Sequence, residues 1–142
     1  MPTTLRSVLA LDVGSKRIGV AVASLAARLP RPLITLTSSD SELLSDLAEI
    51  IKSEDIDRIV VGLPRGMEGQ STAQTETTLR FTELLKEHFD LPIDMQDEAL
   101  TSKHAEKELE TRGKPYKPED IDALAATYIL GDWFVDHKEL TH

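Results

Sequence analysis

The chain has 142 residues, 40% of them hydrophobic, with 16 basic against 25 acidic side chains and a formal charge of −9. A chain near ~150 residues buries roughly 68–70% of its unfolded surface, so a single domain over residues 1–142 with one core of sheet and helices is expected. The absence of cysteine excludes a disulfide framework, a thiolate zinc site and a cysteine nucleophile, and the acidity repels nucleic acid unless a basic patch or bound divalent cations overturn it.

Val8 to Val13 is an apolar run with one acid, Asp12, near its end, the pattern of a central strand covered on both faces. Its longest uninterrupted stretch, Val8 to Leu11, is far short of the ~18–20 residues of a membrane span. No charged-then-apolar leader precedes it, so a cytoplasmic protein without membrane contact is expected. Gly14-Ser15-Lys16 supplies a turn, and Ile18 to Ala23 returns as a second strand with a small-residue face. A third strand, Leu33 to Thr37, follows the breakers Pro30 and Pro32.

Ser39 and Glu42 are spaced as a capping box before the stripe Leu43, Leu44, Leu47, Ile50 and Ile51, which predicts a helix. Ile56 to Val61 reads as a strand stopped at Gly62-Leu63-Pro64, because proline lacks the amide of a central ladder. The glycine-containing loop Gly66 to Gly69 comes next. A helix from about Ser71 to His88 carries Phe81, Leu84, Leu85 and His88 at helical spacing, and Leu91 to Met95 forms a fifth strand. Thr101 is placed to cap a helix ending near Thr111. Gly113 to Pro118 is an exposed loop, and a last helix starting at Pro118 carries Ile121, Leu124, Ala125, Tyr128 and Ile129, with Trp133 and Phe134 closing the core.

Right-handed crossovers then give an α/β fold with a mixed five-stranded sheet of order 3-2-1-4-5 and helices on both faces. In such sheets chemistry gathers at the carboxyl ends of the central strands, where Asp12, the Gly62 loop and Asp97-Glu98 fall. Each acid alone has an ordinary alternative. Asp12 suits a turn before Gly14, Asp97-Glu98 suits a solvated loop with one member facing the cleft, and Asp122 suits the surface of an alanine-rich helix. Converging on one sheet edge, acids from the first strand, the fifth strand and the last helix would form an all-oxygen site for Mg²⁺ or Mn²⁺. Such ions let an acidic protein hold a polyanion and hydrolyse a phosphodiester. Gly14, Lys16 and Arg17 are candidate phosphate contacts, with Arg65, Lys103, Arg112 and Lys114 as further cations. His88, His104, His137 and His142 show no ligand spacing and are given surface or packing roles.

The segments Leu9 to Ala21, Val61-Gly62-Leu63-Pro64, Asp97-Glu98-Ala99-Leu100-Thr101 and Ile121 to Ala126 together resemble the YqgF-like family, from Ser7 to about Trp133. Its members are described as pre-16S ribosomal RNA nucleases or Holliday-junction-resolvase homologues. The resemblance implies a ribonuclease H-like fold and maps the family's acidic triad onto Asp12, Glu98 and Asp122, choosing Glu98 over Asp97 and Asp122 over Asp120. It also implies maturation of the 5′ end of small-subunit ribosomal RNA by Mg²⁺- or Mn²⁺-dependent hydrolysis in the cytoplasm. For some members it implies a role on branched DNA or in transcription; monomers and homodimers are both compatible. Ala99 stands where the family commonly has Arg, Ala23-Ser24 replaces a frequent Ser-Asp, and the loop of Lys114 to Lys117 is less basic than usual. Two other classes compete: an ATP-binding relative of the actin and sugar-kinase group, suggested by Asp12-Val13-Gly14-Ser15, and a non-catalytic RNA- or protein-binding module.

Overall fold

The structure is a computed structural model that describes residues 6–14, 16–37, 42–64, 72–98 and 101–138, the first three residues of the last segment by backbone alone. In chain order the elements are β1 (Ser7–Val13), β2 (Arg17–Ser24), β3 (Arg31–Thr37), α1 (Leu43–Ser53), β4 (Ile56–Pro64), α2 (Ala73–His88), β5 (Ile93–Glu98), α3 (Thr101–Arg112) and α4 (Pro118–Asp136). The five strands form one sheet of order β3-β2-β1-β4-β5. β1 pairs antiparallel with β2 and parallel with β4, while β2–β3 is antiparallel and β4–β5 parallel. This is the topology the crossover argument predicts. Among the described residues no helix is long and apolar enough to cross a membrane.

Several boundaries differ from the sequence reading. β3 begins at Arg31 and includes Pro32, tolerated because β3 is an edge strand whose register with β2 shifts between Val20 and Ala21. β4 continues through Gly62 and Leu63 to Pro64, because β5 extends alongside it with Gly62 opposite Gln96 and Pro64 opposite Glu98. Asp97 and Glu98 are therefore the last residues of β5, not the loop after it. Thr101 is the first residue of α3, not its cap. For α1, Ser39 lies outside the described residues, and Glu42 occupies the N-cap without a side-chain cap bond.

The buried face of α2 also departs from expectation. It consists of Thr75, Thr78, Thr82 and Leu85, while Leu84 is 37% exposed and His88 lies on the surface. Threonines survive there because Thr78 and Thr82 donate their hydroxyls to the carbonyls of Gln74 and Thr78, both at 2.9 Å, so neither hydroxyl is buried unpaired. The N-terminus is fixed by a reciprocal cap between Thr72 and Thr75. It is docked on the sheet by Thr75 Oγ1 donating to the carbonyl of Pro64 and Gln74 Nε2 donating to that of Val13, each at 2.5 Å.

Strand alternation sorts the sheet into two chemically different faces. Leu9, Leu11, Val13, Ile18, Val20, Val22, Ile59 and Val61 point to one side and form the large core with Leu43, Leu47 and Leu85 from α1 and α2. The intervening residues Val8, Ala10, Ala21, Ala23 and Val60 point to the other side and meet Ala126, Ile129, Leu130, Trp133 and Phe134 of α4. Small residues dominate this second face, and α4 lies correspondingly close. A Cβ at Gly19 would stand 1.9 Å from the backbone oxygen of Asp122, and one at Gly62 would stand 2.3 Å from Cδ1 of Ile129.

α4 runs across the whole sheet. Thr35 Oγ1 of β3 donates to the Glu119 carbonyl at 2.7 Å, Gly19 of β2 touches Asp122, and Gly62 of β4 touches Ile129. At the far edge Trp133 Nε1 donates to Asp94 of β5 at 2.9 Å, and Gln96 Nε2 donates to Asp136 at 2.9 Å. Trp133 is fully buried, with Phe134 nearly so, as the sequence predicts. α3 packs on α4 through Ala105, Leu109, Leu124 and Ala125, helped by the Tyr128 hydroxyl donating to Glu108. The predicted single stripe of α4 is thus split, Leu124 and Ala125 serving α3 and Ile129 the sheet. Gly62→Ala should destabilise the fold by about 1–3 kcal/mol, since Ile129 must leave its position to admit one methyl; urea unfolding measures this, and an unchanged midpoint would contradict the close approach.

Candidate functional site

The two-faced sheet decides where the predicted acids go. Asp12 shares the alternation of Val8 and Ala10 and therefore faces α4, opposite Gly19 in the ladder. On β5, Asp94 and Gln96 bond to α4, and Glu98 follows in the same alternation, whereas Ile93 and Met95 pack into the opposite core. Asp97 goes with the latter set and is exposed. Asp122 sits in the second turn of α4, held there by the contact of its backbone with Gly19. The strand ends and the crossing helix so bring Asp12 near Asp122 on one side and near Glu98 on the other.

Burial, followed by the Asp122 carboxylate, pushes the Asp12 carboxyl up to about 7. Glu98 is pushed up to about 9, first by burial, then by a hydrogen bond and charge repulsion with Asp132, and further by Asp12 and Asp136. One oxygen of Glu98, Oε1, is shielded from solvent and has no hydrogen-bond partner. Asp122 is balanced instead by Arg17, whose Nε donates to Oδ2 at 2.5 Å.

The expected phosphate contacts are not gathered in the same way. Gly14 closes the β1–β2 turn by donating its N–H to the Arg17 carbonyl at 2.8 Å, and a Cβ there would meet that same oxygen at 2.8 Å. Lys16 is exposed beside it. Arg17 is engaged with Asp122. Lys114 lines a cavity of about 290 Å³ with Arg112, Tyr116 and Asp120 between α3 and α4, a cavity that none of Asp12, Glu98 and Asp122 lines. Arg65 and the Lys103 side chain lie outside the described residues. A larger groove of about 810 Å³ between β3 and α1, lined by Ile34, Leu36 and Ile50 among others, is also separate from the acids.

Asp132 and Asp136 escaped the sequence reading, as did the docking of Gln74 and Thr75. Asp132 interrupts the apolar stretch Ile129 to Phe134, the same anomaly that singles out Asp12 in β1. Thr72 and Thr75 have capping-box spacing with threonine in place of the usual acid, which masks the pattern.

The donor set fits a hard divalent cation: oxygen ligands only, like charges that face one another, and a buried carboxylate oxygen without a protein partner. Among the described residues, however, no three His, Cys, Asp or Glu side chains already stand in ligating geometry. Arg17 on Asp122 and Asp132 beside Glu98 hold the carboxylates in protein contacts.

Comparison with known proteins gives the family of the chain. Residues 6–136 match the model of the family described as RuvX: Holliday junction resolvase. A protein of Chloroflexus aurantiacus named "Putative pre-16S rRNA nuclease" is 40% identical over 129 residues, covering 89% of this chain and 84% of its own. A protein of the same name from Rickettsia typhi is 39% identical over 126 residues, 87% of this chain and 81% of its own. Among solved structures, RuvC of T. thermophilus in complex with a Holliday junction substrate superposes with a TM-score of 0.54 at 16% identity, covering 92% of this chain and 95% of that one. That likeness fixes the fold as ribonuclease H-like, and the family match extends it to sequence: the chain belongs to the RuvX Holliday junction resolvase family.

Proposed function

We propose that this protein is a divalent-metal-dependent nuclease of structured nucleic acid, with Asp12, Glu98 and Asp122 as its catalytic carboxylates and the 5′ region of precursor 16S ribosomal RNA, in the cytoplasm, as its substrate. The observation that carries the reading is the unpartnered, solvent-shielded Oε1 of Glu98 on the face where Asp12 and Asp122 also lie. A buried carboxylate oxygen without a donor is costly unless a proton or a cation meets it. Asp12 from β1 and Glu98 from β5 would hold the ion from the sheet, and Asp122 would reach it from α4. When bound, Mg²⁺ or Mn²⁺ supplies Lewis acidity toward the phosphodiester and makes water a stronger nucleophile at neutral pH.

The chain's own residues prepare that chemistry. Gly19 and Gly62 let α4 lie against the strand ends, which excludes water from one flank of Asp12 and Glu98. Arg17 orients Asp122 through Oδ2. The relatives' names favour ribosomal RNA, while the family description favours branched DNA; the shared requirement is a phosphodiester in a folded nucleic acid. Cleavage of a precursor 16S hairpin and of a four-way DNA junction should be assayed in Mg²⁺, in Mn²⁺ and in EDTA. Cleavage of the RNA that stops in EDTA is expected. Cleavage of the junction alone would move the substrate to DNA, and equal cleavage in EDTA would reject the metal-dependent reading.

A further inference from the structure

Among the three acids, Asp122 carries an ion pair with Arg17. The guanidinium comes from the first residue of β2, directly after the Gly14 turn, and alternation places it with Gly19 and Ala21 on the α4 face. Its Nε meets Oδ2 of Asp122 at 2.5 Å. The Arg17 side chain is 40% exposed, the Asp122 side chain 18%. The aspartate is thus fixed by the contact of its backbone with Gly19, while its partner reaches it from the open side. The arginine is the more exposed half of the pair.

We propose that Arg17 is a positioning residue that competes with the divalent ion for Asp122, standing in for positive charge while the site holds no ion. This rests on the metal-site reading above. The pair satisfies Asp122 against the nearby Asp12 charge, so an ion that takes Oδ2 displaces a charge-assisted hydrogen bond as it gains the third carboxylate. Removing the guanidinium while keeping a neutral, hydrogen-bonding side chain leaves Asp122 open to the ion. A lysine at the same position retains the competing charge but not the planar fork.

The test is a calorimetric Mn²⁺ titration of the full chain at pH 8 and low salt. Arg17→Gln should bind Mn²⁺ roughly 3- to 10-fold more tightly than the wild type, a direction that a merely structural role would not produce, and Arg17→Lys should fall near the wild type. Unchanged or weaker binding in Arg17→Gln overturns the inference. Asp12→Asn separates the two claims. If it loses Mn²⁺ while Arg17→Gln is unchanged, only the competition fails; if it binds like the wild type, the metal site fails and the competition with it. The wild type offers a second readout should Arg17→Gln not fold: the Arg17 Nε–H resonance should move on addition of Mg²⁺, and an unmoved signal with the site saturated contradicts displacement.

Discussion

Asp12→Asn should reduce cleavage of structured RNA by about 10³-fold or more while the protein remains folded. The size follows from what is removed. The amide keeps the shape of the carboxylate and one oxygen, but it carries no charge, so the ion loses its ligand on the central strand and the transition state loses the stabilisation that ion supplies. Because Asp12 is half-buried and close to the Asp122 charge, the substitution also removes a repulsion, and the variant should unfold at a temperature no lower than the wild type at pH 8. Loss of activity together with unchanged or raised stability separates a functional carboxylate from a structural one. Near-normal cleavage by Asp12→Asn would remove Asp12 from the reaction.

The second large effect is a stability that falls as the solution becomes more basic in the absence of divalent ions. Asp12 rises from 3.8 to about 7 in the folded protein and Glu98 from 4.5 to about 9. The unfolded chain therefore releases both protons near pH 4, whereas the folded chain keeps them until pH rises through about 7 and about 9. Over that window the folded state binds more protons, and the unfolding free energy must decline with pH. At 1.36 kcal/mol per pKa unit, discounted for the partial exposure of both groups, the loss between pH 5 and pH 9 should be about 4 kcal/mol. Urea unfolding in EDTA across this range measures it. Glu98→Gln should flatten the part above pH 7, and saturating Mg²⁺ should restore stability most at high pH, where the ionised carboxylates bind it. A flat profile in EDTA, or one unchanged by Glu98→Gln, would contradict the environment described for Glu98.

The sheet order was readable because strand length, turn residues and crossover handedness leave few topologies, and the continuous apolar run of β1 marks it as central. The boundaries of β4 and β5 were less readable. Pro64 suggests an early stop, but a proline at the final position of a strand withholds no bond that the ladder needs. The choice of Glu98 over Asp97 came from family resemblance, yet it also follows from the pleat: Ile93 and Met95 claim the core with α1 and α2, which sends Asp94, Gln96 and Glu98 to the α4 face. What no local pattern contained was the path of α4. Its course across the sheet, set by the glycines at positions 19 and 62, brings Asp122 to Arg17 on β2 and Asp132 to Glu98 on the edge strand β5. The ten-position spacing of the two aspartates hides that relation. The threonine face of α2 was missed for a related reason, since hydroxyls bonded within their own helix behave as small apolar groups.

The central claim, that Asp12, Glu98 and Asp122 are the ligands of a catalytic divalent ion, is tested most directly by anomalous diffraction from crystals grown in Mn²⁺. The account predicts a manganese peak in contact with Asp12 and Glu98, with an Asp122 oxygen turned toward it and Arg17 drawn away. A well-ordered site with those carboxylates in their present contacts and no peak among them, at a Mn²⁺ concentration that supports cleavage, would contradict it.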